Sequence, residues 1–176
     1  MIVMKFGGTS VGSAEAILRL VEIVKQHQNQ QPIIVVSAMS GTTNQLIEAV
    51  TLHAGGKTTK SLEMVQEIKI RHLKTANLVV GNNRAEWIEK IIEANIKVIE
   101  HRIRSIKSGA PTPTELDAIM GMGEYLSSAI ITYALKNANL NARDTEIANF
   151  LVTDTTAGKA EVNMEITLPN IRKLFT

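Results

Sequence analysis

The stretch IVMKFGGTS, residues 2–10, decides the fold class of this sequence. Its apolar half, Ile2 to Phe6, ends at two glycines, which is typical of a buried strand that runs into a tight turn. A helix is expected next, because Ser13 can cap it and apolar residues then recur at helical spacing, at Ile17, Leu20, Val21 and Val24. A second apolar run, Ile33 to Val36, is entirely β-branched and predicts a strand covered on both faces. Strand, helix and strand together predict a parallel crossover unit.

The middle of the sequence is predicted to be helical. Residues 37–44 form a small, polar turn, and a helical pattern then continues to about Val50. Two longer helical segments, about 60–78 and 84–106, are separated by Gly81, Asn82 and Asn83. We expect these two helices to pack as an antiparallel hairpin.

The last third of the sequence has prolines at its predicted boundaries. Pro113 precedes a helix from about 116 to 130 that is expected to contain two glycines. Short strands are predicted near 140–144 and 150–153, and Pro169 is predicted to open the final helix. Because strands and helices alternate without an internal repeat, the predicted fold class is α/β, with a three-layer α/β/α sandwich as its architecture.

Composition excludes several function classes. The 176 residues are 44% hydrophobic and 20% charged, which fits one globular domain, residues 1–176. A net charge of +2 and an aromatic content of 3% argue against nucleic acid as a partner. No apolar run reaches the roughly 18 residues that a membrane helix needs, and no signal peptide is recognisable. The sequence has no cysteine, which excludes disulfides and thiol nucleophiles and fits a cytoplasmic location.

Two polar loops, residues 7–10 and 37–44, each lie between a predicted strand and a predicted helix. In a parallel sheet both would fall at the carboxyl edge, where ligands bind. Glycine allows close approach to an anion, helix N-termini offer free N–H groups, and Lys5 adds a positive charge. These features predict a phosphate-binding site, although neither a Walker sequence nor a G-x-G-x-x-G fingerprint is present. The alternative is that both loops are tight turns without a ligand.

Both loops resemble those of aspartate kinases. KFGGTSVG, residues 5–12, resembles the opening signature of that family, and VVSAMSGTTN, residues 35–44, resembles its second loop. Asp117 followed by GEYLS, residues 123–127, resembles the family's glycine-glutamate segment, and residues 152–160 give a weaker fourth match. The resemblance runs along the whole chain.

The resemblance implies an amino-acid kinase fold of the carbamate kinase-like type. It also implies the reaction of ATP with L-aspartate to give ADP and 4-phospho-L-aspartate, the first step of lysine, threonine and methionine biosynthesis. ATP with Mg²⁺ would be the co-substrate, and no metal-ligating residue is expected in this chain. The implied partners are L-aspartate and ATP, together with a homo-oligomeric copy or a complementing C-terminal chain, and neither nucleic acid nor a membrane.

The resemblance also implies roles for residues at the first loop. Lys5 would contact the transferred phosphate and act as the catalytic residue. The phosphate-binding set would comprise Lys5, Phe6, Gly7, Gly8 and Ser37. The alternative for Lys5 is a solvated strand end, which is the usual place for a lysine.

On the amino-acid side, the resemblance implies that Ser37, Thr43 and Glu124 bind the substrate. Glu124 would pair with the α-ammonium group of aspartate, while Gly121 and Gly123 allow a close approach to the helix. The alternatives are that Ser37 and Thr43 cap the following helix and that Glu124 is an exposed helix residue. Where the family commonly has serine three residues before this glutamate, the sequence has Gly121.

The four histidines show no spacing typical of metal ligands, and each is expected to be a solvated helix or connecting residue: His27, His53, His72 and His101. We therefore assign them no catalytic role and expect no metal site.

The resemblance stops short of the family's nucleotide-binding lobe and regulatory ACT domains. We therefore expect a fold that is incomplete on its C-terminal side, namely the N-terminal lobe of a kinase domain as a fragment or split part, which is inactive alone. The alternative is a non-catalytic module that keeps the amino-acid kinase fold for regulation or assembly.

Overall fold

The computed structural model of this chain describes residues 1–81, 85–107 and 109–175. Two compact units are present, Met1–Ala142 and Arg143–Thr176. None of the helices in the described residues is both long and apolar enough to cross a membrane.

The predicted parallel crossover unit is confirmed at the start of the first unit. Strand β1 spans Ile2–Phe6, helix α1 spans Ala14–Gln26, and strand β2 spans Pro32–Val36. The two strands pair in parallel along their full lengths. Ser13 caps α1 as predicted, because its side chain accepts a 3.2 Å hydrogen bond from the Ala16 N–H. Since β1 and β2 end at the same level, the loops that follow them start side by side.

The prediction that β2 is covered on both faces is wrong. One face of the sheet packs against the core through Met4, Phe6, Ile34 and Val36. On the other face Val3 is 64% exposed and Val35 is 41% exposed. An unbroken β-branched run indicates a strand but carries no information about the number of layers around it. The described residues therefore form an α/β fold with a two-stranded sheet, and they do not confirm the three-layer sandwich.

The central helices form the antiparallel hairpin that the sequence predicts. Helix α2 spans Thr42–Ala54, α3 spans Thr58–Val80, and α4 spans Ala85–Ser105. Side-chain pairs link α3 and α4 in opposite chain order, Gln66 with Glu100 and Lys69 with Glu93. Asn82, Asn83 and Arg84, where the predicted hairpin turns, lie outside the described residues. The core is aliphatic along both helices, with Val65 and Ile68 on α3 facing inward as Ile92 and Ile99 do on α4.

The helix predicted from 116 to 130 is in fact two helices. Helix α5 spans Pro113–Met120, and helix α6 spans Met122–Asn137, with Gly121 as the joint between them. The start of α5 is fixed by a capping box, because Thr112 accepts from the Glu115 N–H while Glu115 accepts from the Thr112 N–H. Helical spacing of apolar residues continues across the joint, so periodicity alone could not reveal it.

Neither of the two strands predicted after α6 is present. Residues 140–146 have no regular structure, and near residues 150–153 the structure has only an isolated antiparallel bridge between Thr153 and Val162. The Asp154 carboxylate closes the intervening turn by accepting hydrogen bonds from the N–H groups of Thr156 and Glu161. A short apolar run such as residues 150–153 favours extended backbone, but a strand also needs a partner for its N–H and C=O groups.

The final helix does not begin at Pro169, contrary to the prediction. Helix α7 spans Met164–Phe175 and therefore contains Pro169. Its first turn is held by Asn163, whose side chain accepts a 3.2 Å hydrogen bond from the Ile166 N–H. Proline lacks an N–H, so it suits the first turn of a helix, where that N–H would have no partner within the helix. In the second turn it costs one hydrogen bond but is tolerated here, and the sequence alone did not distinguish the two positions.

Candidate functional site

The two loops predicted to bind phosphate lie against each other. The first loop, residues 7–10, follows β1, and the second loop, residues 37–44, follows β2 and ends in the first turn of α2. The Phe6 carbonyl accepts a 3.1 Å hydrogen bond from the Ser37 N–H, and the Gly8 carbonyl accepts a 3.2 Å bond from the Ser40 N–H. A Cβ atom on Gly8 would lie 3.0 Å from the Ala38 carbonyl oxygen. Glycine at this position therefore permits the contact between the loops.

Lys5 places a positive charge beside the first loop. It stands on the exposed face of β1, opposite Val35 in the sheet register. Its Nζ atom lies 3.9 Å from the point that a Cβ atom on Gly7 would occupy. Among the described residues Lys5 forms no ion pair. The ammonium group is thus directed over a glycine backbone and is not neutralised there, which suits an anionic ligand.

The second loop is also held from the N-terminus of α6. The Oε1 atom of Glu124 accepts a 3.2 Å hydrogen bond from the Ala38 N–H. Three residues later, the Ser127 hydroxyl donates a 2.8 Å bond to the Ser37 carbonyl. The alternative interpretation, in which Glu124 is an exposed helix residue, is therefore wrong. The Glu124 side chain is half-buried and bonded to the second loop. Ser127 was missed as a contact residue, although it lies in the segment that carried the resemblance.

Gly123 accounts for the close packing of α6 on the second loop. A Cβ atom there would lie 2.7 Å from the Cβ of Ala38 and 3.3 Å from Cγ2 of Thr42. This confirms that a glycine is needed for close approach at position 123. At Gly121 the nearest atom to such a Cβ is the Asp117 carbonyl oxygen at 4.0 Å. Gly121 therefore joins two helices, and no close contact requires a glycine there.

The hydroxyl groups of Ser37 and Thr43 make no hydrogen bond with the described residues, whereas the backbone of Ser37 is bonded on both sides. Neither residue caps α2, because Gly41 occupies the N-cap position and no side chain caps it. The capping interpretation of these residues is therefore wrong. Both residues are half-buried on the loop, and their hydroxyl groups are available to a ligand.

Arg71 is a loop contact that the sequence did not reveal. Its Nη2 atom lies 2.9 Å from the Ser40 carbonyl oxygen and 2.6 Å from the Thr42 hydroxyl, and burial lowers the pKa of its guanidinium group. Arg71 comes from α3, about 30 residues further along the chain. Helical periodicity gives the face of a residue but not its distant partner, so no sequence signal marked it.

His72 contradicts the prediction that all four histidines are solvated, and of the other three only His101 is exposed. His72 is fully buried, and its Nδ1 atom lies 2.7 Å from the Ile68 carbonyl oxygen. Burial lowers the pKa of His72 to about 4, and the charge of neighbouring Arg71 contributes to this shift. Among the described residues no group of three or more His, Cys, Asp or Glu side chains is arranged to hold a metal ion. His72 is therefore a core residue.

Sequence comparison connects this site to known proteins. The profile of the amino acid kinase family matches residues 1–176. Aspartokinase 2, chloroplastic, of Arabidopsis thaliana is 29% identical over 176 residues, covering 97% of this chain and 31% of that protein. Lysine-sensitive aspartokinase 3 of Escherichia coli K12 is 28% identical over 161 residues, covering 92% of this chain and 34% of that protein. The chain thus spans about a third of the length of these relatives.

Structural comparison agrees. The crystal structure of E. coli aspartokinase III in complex with aspartate and ADP superimposes with a TM-score of 0.74 at 25% sequence identity. The match covers 99% of this chain and 37% of the aspartokinase III chain. A complex of the same enzyme with lysine and aspartate also matches with a TM-score of 0.74.

Proposed function

This chain belongs to the amino acid kinase family, and we propose that it supplies the phosphate-binding and aspartate-binding loops of an aspartate kinase. The observation that carries the proposal is the double attachment of the second loop. The Gly8 carbonyl holds it at Ser40, and Glu124 holds it at Ala38. One short segment thereby connects a glycine loop suited to phosphate with a carboxylate suited to an ammonium group.

In the proposed reaction, an oxygen of the aspartate β-carboxylate attacks the γ-phosphorus of ATP. The new P–O bond forms as the bond to the β,γ-bridging oxygen breaks, so that ADP leaves with that electron pair and 4-phospho-L-aspartate remains. The β-carboxylate is already ionised at neutral pH, because an unperturbed aspartate has a pKa of about 4. No general base is required, and catalysis consists of positioning and charge stabilisation.

Lys5 would stabilise the negative charge on the transferred phosphoryl group. Its ammonium group lies over Gly7 and is not paired with a carboxylate of the described residues. The backbone of Phe6, Gly7 and Gly8 would hold the phosphates, since Gly8 lacks the side chain that would separate the loops. Preorganised donors of this kind stabilise charge that develops in the transition state.

Glu124 would bind the α-ammonium group of the substrate. Its Oε1 atom is occupied by the Ala38 N–H, which fixes the carboxylate and leaves Oε2 for the ligand. The hydroxyls of Ser37 and Thr43 would hydrogen-bond the substrate carboxylates. Glu124 distinguishes an amino acid from a simple dicarboxylate, because only the amino acid carries the positive charge.

The same proposal includes several wider properties. The complete fold would be a three-layer α/β/α sandwich, which would cover the sheet face that exposes Val3 and Val35. ATP with Mg²⁺ would be the co-substrate, and since the described residues hold no cluster of potential metal ligands, we assign none of them to Mg²⁺. The enzyme would act in the cytoplasm in lysine, threonine and methionine biosynthesis, as a homo-oligomer or with a complementing chain.

Calorimetric titration of the 176-residue chain tests the proposal. We expect L-aspartate to bind more tightly than succinate, which has both carboxylates but lacks the ammonium group. L-glutamate, with one additional methylene, should bind more weakly than L-aspartate. Equal affinity for aspartate and succinate, or binding of neither, would contradict the proposed function.

A further inference from the structure

The feature with the most unexplained chemistry is the side chain of Arg71. It extends from α3 to the second loop, where its Nη2 atom lies near three oxygens. These are the Ser40 carbonyl at 2.9 Å, the Met39 carbonyl at 3.4 Å and the Thr42 hydroxyl at 2.6 Å. All three acceptors lie within four consecutive residues of one loop.

Arg71 also carries a positive charge with no carboxylate paired to it in the described part of the chain. Its Nε atom is buried without a hydrogen-bond partner. The guanidinium group lies beside the first turn of α2, and a cation at a helix N-terminus is electrostatically unfavourable. An arginine that served only solubility would keep its charge in water, so these costs indicate a role in ordering the loop.

The segment that Arg71 contacts contains a left-handed turn and a helix start without a side-chain cap. Gly41 has a φ of +82° and turns the chain into α2, and no side chain caps the helix there. The Arg71 Nη1 atom lies 3.8 Å from the point that a Cβ atom on Gly41 would occupy. The guanidinium therefore fills the space beside this turn and holds it by donating to the Ser40 carbonyl and the Thr42 hydroxyl.

We propose that Arg71 is a positioning residue for the amino-acid substrate. By bonding residues 39–42 from helix α3, Arg71 fixes the two residues that flank this segment. It sets the direction of the Ala38 amide before the segment and of the Thr43 hydroxyl after it. Glu124 is bonded to that amide, so Arg71 also acts on the carboxylate that receives the ammonium group. This inference rests on the proposed function for its substrate, whereas its effect on the loop does not.

The test compares Arg71→Lys with Arg104→Lys, a control at an exposed position on α4. Lysine keeps the charge but cannot present a planar fork to several acceptors. In Arg71→Lys, we expect the backbone amides of Ser40 and Thr42 to exchange hydrogen about tenfold faster, as measured by NMR. The dissociation constant for L-aspartate should rise about tenfold, and in an active kinase that contains this chain the KM for ATP should change less than about twofold. Arg104→Lys should change none of these.

A second variant, Thr42→Val, removes one acceptor and keeps the shape of the side chain. Its effect on aspartate affinity should be less than additive with that of Arg71→Lys, because both changes break one contact. Unchanged exchange at Ser40 and Thr42, or faster exchange spread evenly along α3, would overturn the inference. If the unmodified chain binds no aspartate, the proposed function fails, and the exchange rates alone decide whether Arg71 fixes the loop.

Discussion

The Glu124 carboxylate accepts a 3.2 Å hydrogen bond from the Ala38 backbone N–H across a sequence separation of 86 residues. This bond joins the start of α6 to the loop after β2. Because the acceptor is one oxygen of a carboxylate, the same side chain can hold the loop with Oε1 and a ligand with Oε2. Under the proposed function, the geometry of the loop and the affinity for the α-ammonium group would therefore be linked through Glu124.

We expect Glu124→Gln to weaken L-aspartate binding by roughly ten- to a hundredfold. Glutamine keeps the shape and can still accept from Ala38, but it removes the negative charge, and a charge-assisted hydrogen bond is worth about 1.5 to 3 kcal/mol. In an active kinase that contains this chain, the KM for ATP should change much less, because Glu124 lies on the amino-acid side of the proposed site. Calorimetric titration of the chain measures the aspartate affinity, and steady-state kinetics of the kinase measure the KM for ATP.

Glu63→Gln, at an exposed position on α3, is the matched control and should leave both the aspartate affinity and the KM for ATP unchanged. If Glu124→Gln instead weakened ATP binding and spared aspartate, Glu124 would be assigned to the wrong ligand.

Much of this site could be predicted from the sequence, because its parts are local. An apolar run followed by Gly7 and Gly8 predicts both the strand and the turn, and the second run predicts the neighbouring loop. The resemblance implies that Glu124 binds the substrate, which stays a prediction, and the structure shows that its carboxylate is bonded to the second loop. What the sequence alone left open was whether these loops bind a ligand.

The features that were missed depend on distant contacts or on pairing. Arg71 donates to its acceptors from another helix. The burial of the neighbouring His72 depends on how α3 packs, which its position in the sequence does not reveal. The strand predicted near residues 150–153 failed for a related reason, since apart from the bridge at Thr153 it has no strand to pair with. Pro169 was misplaced because proline is compatible with both the first turn and a weakened second turn.

Gly123→Ala should destabilise the chain by about 1 to 3 kcal/mol, because the new Cβ would stand 2.7 Å from the Cβ of Ala38 and one of the two must move. Thermal or urea unfolding measures this loss. Aspartate affinity should fall as well, since the shift separates Glu124 from the Ala38 amide.

Gly121→Ala provides the control, because its φ of −64° suits alanine and the nearest atom to its Cβ lies at 4.0 Å. Alanine there should be neutral or should stabilise by about 0.4 to 1 kcal/mol. Equal destabilisation by both substitutions would mean that the contact with Ala38 is not the cause.

Lys5→Met should slow phosphoryl transfer in an active kinase that contains this chain, on the order of a hundredfold in kcat. Methionine keeps most of the bulk of the side chain and removes the charge beside Gly7. The KM for aspartate should change little, because the interaction strengthens as charge develops on the phosphoryl group. Steady-state kinetics of Lys5→Met and of the exposed control Lys60→Met test this, and an unchanged kcat would place Lys5 outside the reaction.

The stability of the chain should fall as the pH drops from about 6.5 towards 4, because of His72. Burial lowers the pKa of this histidine from 6.5 to about 4, so the unfolded chain binds the proton more readily than the folded chain. The contribution of neutral His72 is therefore fully present above pH 6.5 and is lost on acidification, by up to about 1.4 kcal/mol per pH unit. Carboxylates such as Glu115, whose pKa is lowered by a hydrogen bond from the Thr112 backbone, lose their contribution mainly at lower pH.

Urea unfolding between pH 6.5 and about 5 should show this slope in the unmodified chain and in His101→Gln, an exposed control on α4, and a flatter one in His72→Gln. The same slope in all three proteins would exclude His72 as its origin.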